Sequence, residues 1–349
     1  MTIFIMLKVH FVFAPLKKRG YFGEVSEGRV PPLSLLYLAS FARKQLKDNL
    51  KMKFTDGLLC GMEKSLKEVE EFQPDILALS FYTPQAEGAY EFINRVKKRC
   101  PEILVIAGGV HITALPEELF RRSKADIAVI GEGEETFSEL LNLYSNSKEN
   151  NLRNVEGIAF RDKGGKIIWT AHRAYIKDLN TIPFPAYDLI NLRDYKGWYL
   201  NRSTPEAPLF SARGCPYWCT FCSNIVWKIN KPYLRLRSPE NVVDEIEWLT
   251  EKYGIKEIYE CSDEFNNSVK NALGICEEIK RRGLKVWWKT SVRADNLPEN
   301  LIKGMAEAGC WYVLIGIESG NRRTINGIEK RVSLEEVEES CRLLKKIQD

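Results

Sequence analysis

The stretch Leu209-Phe-Ser-Ala-Arg-Gly-Cys-Pro-Tyr-Trp-Cys-Thr-Phe-Cys222 decides how the second half of this chain is interpreted. A short apolar strand leads into a loop that holds Cys215, Cys219 and Cys222 in a C-x3-C-x2-C spacing. Three thiolates so close together can face one metal centre, and three ligands are one fewer than a closed tetrahedral site needs. The loop therefore predicts a reactive metal or iron–sulfur centre at the end of a strand.

Two other interpretations of the loop are weaker. It could supply part of a zinc site completed by Cys261 or a histidine, but the sequence has no second C-x2-C and no H-x3-H. It could also hold a disulfide and a spare thiol. The remaining cysteines are scattered singly, as in a reduced intracellular protein; they are Cys60, Cys100, Cys261, Cys276, Cys310 and Cys341.

Beyond the cysteine loop, short apolar strands alternate with helical periods. Four strand–helix units are predicted, with strands at 209–213, 256–261, 284–289 and 311–316. In barrels of this kind the functional groups gather at the carboxyl ends of the strands. Polar residues stand at three of these ends, namely Asp263, Glu264, Ser291, Arg293 and Glu318. Each could instead be a helix cap or a surface ion pair, so their interpretation as a site rests on the cysteine loop in the same repeat.

The first part of the chain shows a second set of alternating strands and helices. Five near-continuous apolar runs between residues 4 and 130 are typical of a parallel sheet covered on both faces. Such sheets bind ligands beyond the carboxyl ends of their strands, where hydroxyls hold polar groups and glycines permit close approach. The residues at these ends are Ser80, Thr83, Gly108, Gly109, His111, Gly131 and Glu132. A Gly-Gly pair is also common in ordinary tight turns.

These patterns predict an α/β chain of two domains. We place a doubly wound parallel sheet in residues 1–147, a linker with a β-hairpin in 148–203, and a partial βα barrel of about four units in 204–349. Because the sequence stops after the fourth predicted helix, we expect a fragment or truncated gene product, or a barrel completed by another chain.

Composition narrows the possible partners. The 51 basic and 47 acidic residues are well mixed and give a net charge of +4, so no basic stripe indicates nucleic acid. No apolar run reaches the roughly 18–20 residues of a membrane span, and the apolar start resembles a strand more than a signal peptide. We therefore expect a cytoplasmic protein that binds neither nucleic acid nor membrane.

The cysteine loop resembles the cluster-binding signature of the radical S-adenosylmethionine (SAM) enzymes. In that family three cysteines hold a 4Fe-4S cluster, and SAM chelates the fourth iron. The resemblance implies that Cys215, Cys219 and Cys222 hold the cluster, with Phe221 beside the SAM adenine. It also implies that residues after the later strands bind the amino, carboxylate and ribose groups of SAM; these are Asp263, Glu264, Ser291, Arg293 and Glu318.

The first 145 residues resemble the cobalamin-binding domain that precedes many radical SAM domains. The similarity lies in residues 31–39, 108–113, 116–118 and 131–137. It implies that the ligand-facing residues of the first domain contact cobalamin, Ser80, Thr83, Gly108, Gly109, His111, Gly131 and Glu132 among them. The loop Ala14-Pro-Leu-Lys-Lys-Arg-Gly20 departs from the family, since it lacks the Asp and His of an Asp-x-His-x-x-Gly motif. We therefore expect cobalamin to bind without a protein imidazole below its cobalt.

Taken together, the resemblance implies an enzyme that cleaves SAM reductively with a 4Fe-4S cluster and uses cobalamin as a second cofactor. Methyl transfer to an unactivated carbon or phosphorus is the expected reaction. One alternative is a radical SAM cyclase or rearrangement enzyme with little or no cobalamin dependence. Another is an inactive, truncated protein that binds cobalamin or the cluster. The expected partners are a small-molecule substrate and an electron donor such as flavodoxin or ferredoxin.

Overall fold

The computed structural model describes residues 6–17, 30–145, 151–197 and 200–348 of this 349-residue chain. These residues form two compact units. The first contains mainly residues up to 175 and residues 182–194, and the second contains mainly 176–181 and residues from 195 onward. Each unit is built around a parallel sheet, which confirms the predicted α/β class. The predicted boundary between residues 147 and 148 lies outside the described residues.

The sheet of the first unit has the doubly wound order that the sequence predicts. Its parallel strands stand in the order β2-β1-β3-β4-β5, and the order reverses between β1 and β3, which is where such sheets bind ligands. The strands are β1 (Leu7–Phe13), β2 (Leu50–Asp56), β3 (Ile76–Ser80), β4 (Leu104–Gly108) and β5 (Ile127–Val129). Their buried apolar side chains on both faces form the core of this unit.

Helices follow these strands. They are α1 (Leu33–Leu46), α2 (Gly57–Phe72), α3 (Ala86–Arg99), α4 (Val110–Ala114), α5 (Pro116–Arg122) and α6 (Glu134–Ser145). Helix α2 has only a weak helical pattern in the sequence, because two glycines in its first turns disfavour a helix. One of them, Gly61, has a non-helical backbone inside the helix.

A β-hairpin lies within residues 148–203, where the sequence predicts one. Strands β6 (Ile158–Arg161) and β7 (Ile167–Trp169) pair antiparallel, and β6 also pairs antiparallel with β5. The turn is closed by a hydrogen bond from the Asp162 amide to the Lys166 carbonyl. The hairpin thus extends the sheet of the first unit beyond β5.

The second unit contains four parallel strands in the order β13-β12-β11-β8 within its described residues. Its strands are β8 (Glu206–Leu209), β9 (Ala212–Arg213), β10 (Arg235–Leu236), β11 (Glu257–Glu260), β12 (Trp287–Val292) and β13 (Cys310–Ile315). Its helices are α7 (Pro239–Tyr253), α8 (Val269–Arg281), α9 (Glu299–Glu307), α10 (Arg322–Gly327) and α11 (Leu334–Gln348). Parallel strands that follow one another in sequence are neighbours in the sheet and are joined by helices, which is the arrangement of a partial βα barrel.

Two predicted strand boundaries in this unit were wrong. The strand predicted at 209–213 is split, because the Ser211 amide donates to Glu260 Oε1 (3.1 Å) and Ser262 Oγ (3.0 Å) instead of continuing the ladder. The strand predicted at 284–289 begins three residues later, because the Leu284 amide bonds to Ile279 and extends the turn after α8. Ser291 therefore lies within β12 and not after it.

A buried charge cluster stands at the amino ends of β8, β11 and β12. The Lys289 ammonium contacts Glu206 and lies 3.6 Å from Glu257 Oε1, and all three side chains are almost completely buried. Lys289 also donates to the Leu200 carbonyl at 2.6 Å. Buried charges persist only when paired, so this cluster ties the segment before β8 to the sheet.

None of the described helices is both long enough and apolar enough to cross a membrane.

Candidate functional site

The predicted ligand-facing residues of the first unit stand at the carboxyl edge of its sheet. Ser80 ends β3 and Gly108 ends β4, and these two residues are partners in the parallel register. Gly109 follows with φ +99°, and a Cβ placed there would lie 2.6 Å from Ser80 Oγ. A Cβ on Gly108 would meet only ordinary contacts, at 3.5 Å from Val129. The close approach between strands therefore requires glycine at 109 and not at 108.

His111 and Thr83 form a second pair at this edge. The His111 ring is buried, with Nε2 2.8 Å from the Tyr90 hydroxyl and Nδ1 3.1 Å from Thr83 Oγ1. Burial lowers the pKa of His111, although Glu118 opposes the effect. Both ring nitrogens therefore contact protein hydroxyls, and His111 orients Thr83. Sequence reasoning missed Tyr90, which lies inside α3 and has no local signal of this contact.

The third cluster lies after β5. The Gly131 amide donates to Thr113 Oγ1 at 3.0 Å, which joins the loop after β5 to helix α4. Glu132 stands next to Gly131 and is half-buried. The structure thus brings together the three predicted clusters along one sheet edge.

Two further residues of this edge were not predicted. Gln85 is buried and bridges the loops after β1 and β3, donating from Nε2 to the Ala14 carbonyl (2.6 Å) and accepting from the Tyr82 amide (2.9 Å). Tyr82 is 52 % exposed and stands between the predicted residues Ser80 and Thr83. Tyr82 could have been predicted from the sequence, because it is an aromatic residue between two candidate ligand contacts.

In the second unit, the cysteine loop begins directly after β9. Gly214 has φ +84°, and a Cβ there would lie 2.3 Å from the Tyr233 carbonyl oxygen, so the entry to the loop requires glycine. Cys215 is buried, and burial raises the pKa of its thiol to about 11. Cys219 and Cys222 are half-buried and joined by a 3.1 Å hydrogen bond from the Cys222 amide to the Cys219 carbonyl.

The chemistry of this loop suits an iron–sulfur cluster. Thiolates are the usual ligands of such clusters, and the Asn224 amide N–H already donates to the Cys222 sulfur at 3.4 Å. The Asn224 side chain is buried beside the loop and interacts with the carboxyl of Asp263, which favours the ionised form of that carboxyl. No three His, Cys, Asp or Glu side chains of the described chain come together closely enough to hold a metal ion. The donor set therefore fits a cluster by its chemistry and sequence spacing, while the thiols do not converge on one point.

Glu260, at the end of β11, organises the base of the loop. Its buried carboxylate accepts from the hydroxyls of Ser211 (2.8 Å), Thr290 (2.6 Å) and Ser262. Ser262 Oγ in turn accepts from the Ala212 amide at 3.0 Å. One carboxylate thus joins the entry to the cysteine loop, the end of β11 and β12. Sequence reasoning missed this residue because it was counted only as part of a strand.

The predicted carboxylates Asp263 and Glu264 follow β11. Asp263 is exposed, whereas Glu264 is half-buried. Burial raises the pKa of Glu264 to about 7, opposed by the charges of Lys330 and Arg293. Its Oε2 is buried without a hydrogen-bond partner in the described part of the chain. Glu264 is therefore a carboxyl that changes protonation near neutral pH and can accept a further donor.

Arg293, directly after β12, links several predicted residues. It is buried, forms a two-point pair with Asp295 (2.9 and 2.7 Å), and stacks 3.5 Å from the centre of the Tyr217 ring in the cysteine loop. It also donates to the Lys330 carbonyl, and Lys330 Nζ pairs with Glu318 at 2.7 Å. The Arg293–Asp295 pair is largely shielded from solvent, since the Arg293 side chain is 3 % exposed and that of Asp295 is 16 % exposed.

The structure therefore gathers the cysteine loop, Glu264, Arg293 and Glu318. Glu318 has φ +67°, an uncommon backbone for a residue other than glycine, and its carboxylate is held by Lys330. Ser291 is half-buried inside β12, and Phe221 is 53 % exposed on the cysteine loop. Carboxylates, a guanidinium and thiols at one sheet edge can bind a zwitterionic ligand next to a metal centre.

Comparison with known families agrees with this division. The sequence matches the B12 binding domain over residues 22–141 and the Radical SAM superfamily over residues 209–348. These ranges contain the carboxyl-edge residues of the first unit and the cysteine loop of the second, respectively.

Individual relatives extend over both units. An uncharacterized methyltransferase of Pyrococcus horikoshii is 34% identical over 90% of this chain and 67% of its own length. The anaerobic magnesium-protoporphyrin IX monomethyl ester cyclase of Cereibacter sphaeroides is 31% identical over 91% of this chain and 52% of its own. The solved structure of the cobalamin-dependent SAM radical enzyme OxsB with aqua-cobalamin bound superimposes with a TM-score of 0.79 at 22% identity, over 98% of this chain and 48% of OxsB. The chain thus spans about half to two thirds of the length of these relatives.

Proposed function

This chain belongs to the radical SAM enzymes that carry an N-terminal B12 binding domain, and we propose that it catalyses methyl transfer to an unactivated carbon or phosphorus atom. The proposal rests on the position of the cysteine loop, which lies at the carboxyl edge of the parallel sheet in the second unit. The sheet of the first unit also has a carboxyl edge suited to a ligand. The family's cofactors are a 4Fe-4S cluster, SAM and cobalamin. When bound, the cluster would supply the one electron needed to cleave SAM, and cobalamin would carry the methyl group.

We assign the cluster to Cys215, Cys219 and Cys222. Gly214 lets the chain turn sharply into the loop, and Glu260 holds the strand ends beneath it. The Asn224 N–H directed at Cys222 stabilises a thiolate there. The protein's part is to keep these ligands together on a rigid sheet edge.

The SAM contacts are assigned to the residues around this loop: Phe221, Asp263, Glu264, Ser291, Arg293 and Glu318. Glu264 suits the SAM ammonium, because its unpartnered Oε2 gains a donor there and its carboxylate form is then favoured. Arg293 is already paired with Asp295. We therefore propose that its main role is to orient Tyr217 and Lys330, and that direct contact with SAM is secondary. Phe221 has the exposed aromatic face that adenine stacking needs.

The cobalamin contacts are assigned to the carboxyl edge of the first unit: Ser80, Thr83, Gly108, Gly109, His111, Gly131 and Glu132. His111 acts there through the Thr83 hydroxyl, since both of its ring nitrogens contact protein groups. His10 is buried within β1 and bonded to Thr55, so it cannot reach a ligand at the edge. Residues 18–20 of the loop after β1 lie outside the described residues. Cobalamin bound without a protein histidine on its cobalt remains our prediction.

Ring formation on a tetrapyrrole-like substrate is the second candidate reaction. It is favoured by the 31% identity to the magnesium-protoporphyrin IX monomethyl ester cyclase of Cereibacter sphaeroides. For either reaction we propose a small-molecule substrate, a flavodoxin- or ferredoxin-type electron donor and a cytoplasmic location. The nine cysteines are all free, as expected of a protein in a reducing compartment.

The test begins with anaerobic reconstitution of the intact chain with iron and sulfide. We expect about four irons per chain and SAM-dependent formation of 5′-deoxyadenosine, both lost on replacing Cys215, Cys219 or Cys222 with Ala. Cys341→Ala is the matched control, since Cys341 is exposed and outside the loop. A product carrying the methyl group of labelled SAM would distinguish methyl transfer from ring closure. Zinc in place of iron, or cluster retention in the loop variants, would contradict the assignment.

A further inference from the structure

The cysteine loop carries a basic and aromatic surface that the proposed site does not use. Trp218 stands between Cys215 and Cys219 and is 48 % exposed. Its ring packs edge-on against Tyr233, with centroids 5.6 Å apart. Lys228 Nζ lies 4.1 Å from the Trp218 ring centre, and Lys231 Nζ lies 6.0 Å from that of Tyr233. We name Trp218, Lys228, Lys231 and Tyr233 the Trp218 surface.

This surface is held in place. Lys228 donates a hydrogen bond to the Tyr217 carbonyl, and its ammonium lies over the Trp218 indole. The two residues that flank the exposed Trp218 ring, Tyr217 and Lys228, are therefore held in place. Tyr217 is itself stacked under Arg293. An exposed tryptophan supported in this way costs little ordering entropy on binding a partner, and Trp and Tyr are enriched in protein interfaces.

The charge of the segment is one-sided. From residue 207 to residue 239 the sequence contains five basic residues, Arg213, Lys228, Lys231, Arg235 and Arg237, and no Asp or Glu. Arg235 and Arg237 are buried, whereas Lys231 is exposed and Lys228 half-buried. This contrasts with the well-mixed charge of the whole chain, which is only +4. Lys228 lies close enough to the exposed Asp263 for its charge to favour the ionised carboxylate, so the positive charge open to a partner is mainly that of Lys231. A partner that fits this surface presents an acidic group to Lys231.

We propose that the Trp218 surface is the docking site of an acidic one-electron donor protein of the flavodoxin or ferredoxin class. The inference rests on the proposed function, in which the centre held by the cysteine loop must gain one electron for each SAM cleaved while the donor loses one. Trp218 stands three residues from Cys215 and one from Cys219 in sequence, so a donor seated on it lies against the loop that holds the centre. Trp218 thus serves docking on the same short loop whose three cysteines hold the centre.

The test compares Lys231→Glu and Trp218→Ala with wild type in the intact chain. Lys270→Glu is the matched control, since Lys270 is also exposed on the second unit but lies on α8. An acidic flavodoxin is the probe, and two quantities are measured: its Kd for the unreduced chain, and the rate at which its hydroquinone reduces the reconstituted cluster. Dithionite reduction of the same samples reports the cluster independently of docking.

We expect Lys231→Glu to slow flavodoxin reduction about tenfold at low salt, with the difference vanishing at high salt. Trp218→Ala should raise the Kd by about five- to tenfold, and Trp218→Phe should restore most of it. Dithionite reduction and the Lys270→Glu variant should match wild type. Unchanged flavodoxin kinetics, or equal slowing with dithionite, would overturn the docking proposal. A wild-type chain in which dithionite reduces no cluster would instead overturn the proposed function, and the docking proposal with it.

Discussion

Replacing Gly109 with Ala tests the carboxyl edge of the first unit, with Gly108→Ala as the matched control one residue away. At position 109 the backbone has φ +99°, and the new Cβ would lie 2.6 Å from Ser80 Oγ. At position 108 the new Cβ would lie 3.5 Å from its nearest neighbours, which is ordinary contact. The two variants add the same methyl group to the same loop and differ only in these surroundings.

The expected cost at position 109 has two parts. A side chain in this glycine-favoured backbone region costs about 1–3 kcal/mol, and forcing Cβ against Ser80 costs about 1–3 kcal/mol more. We therefore expect Gly109→Ala to lower the local free energy of unfolding by about 4 kcal/mol, and Gly108→Ala to change it by less than about 1 kcal/mol. Removing the clashing atom with Ser80→Ala should reduce the cost of Gly109→Ala to about 2 kcal/mol, since only the backbone strain remains.

Hydrogen exchange of peptides covering β3 and β4 measures this locally, because it does not require the two units to unfold together. Titration with hydroxocobalamin of the intact chain gives the functional counterpart. We expect Gly109→Ala to weaken binding more than tenfold. Equal effects of Gly109→Ala and Gly108→Ala on hydrogen exchange, or unchanged cobalamin binding by Gly109→Ala, would refute the assignment of a close approach at Gly109.

Three other predictions concern titration and buried charge. The free energy of unfolding should fall by about 2 kcal/mol between pH 6.5 and pH 5 on account of His10, whose pKa burial lowers to about 3, because unfolding then takes up a proton; urea unfolding of wild type and His10→Gln measures the difference. SAM should bind more tightly as the pH rises through about 7, where Glu264 ionises, and calorimetry should find this dependence absent in Glu264→Gln. Lys289→Met should lower stability to urea by about 3–5 kcal/mol, since it leaves Glu206 and Glu257 buried without their cation; a loss below about 1 kcal/mol would contradict a tightly paired cluster.

The elements of both units could be predicted because their signals are local. Helix α1 is an example, since apolar residues at helical spacing indicate the helix and Pro31-Pro32 mark its start. The parallel strands follow from apolar runs that alternate with helices. The C-x3-C-x2-C loop needs no tertiary information either, because its three ligands lie within eight consecutive residues, 215–222. The sequence alone therefore determined the fold class, the cysteine loop and its resemblance to radical SAM enzymes.

Tertiary structure decided which side chains surround those elements. Glu260 and Ser211 are 49 residues apart, and the hydrogen bond from the Ser211 amide to Glu260 exists only because β8 and β11 pair in one register. That hydrogen bond interrupts the predicted strand, and no pattern in the neighbouring sequence predicts it. The same holds for His111 and Tyr90, which are 21 residues apart and meet between α3 and α4. Hydrogen bonds between distant side chains depend on strand register and helix packing, which a residue's sequence neighbours do not specify.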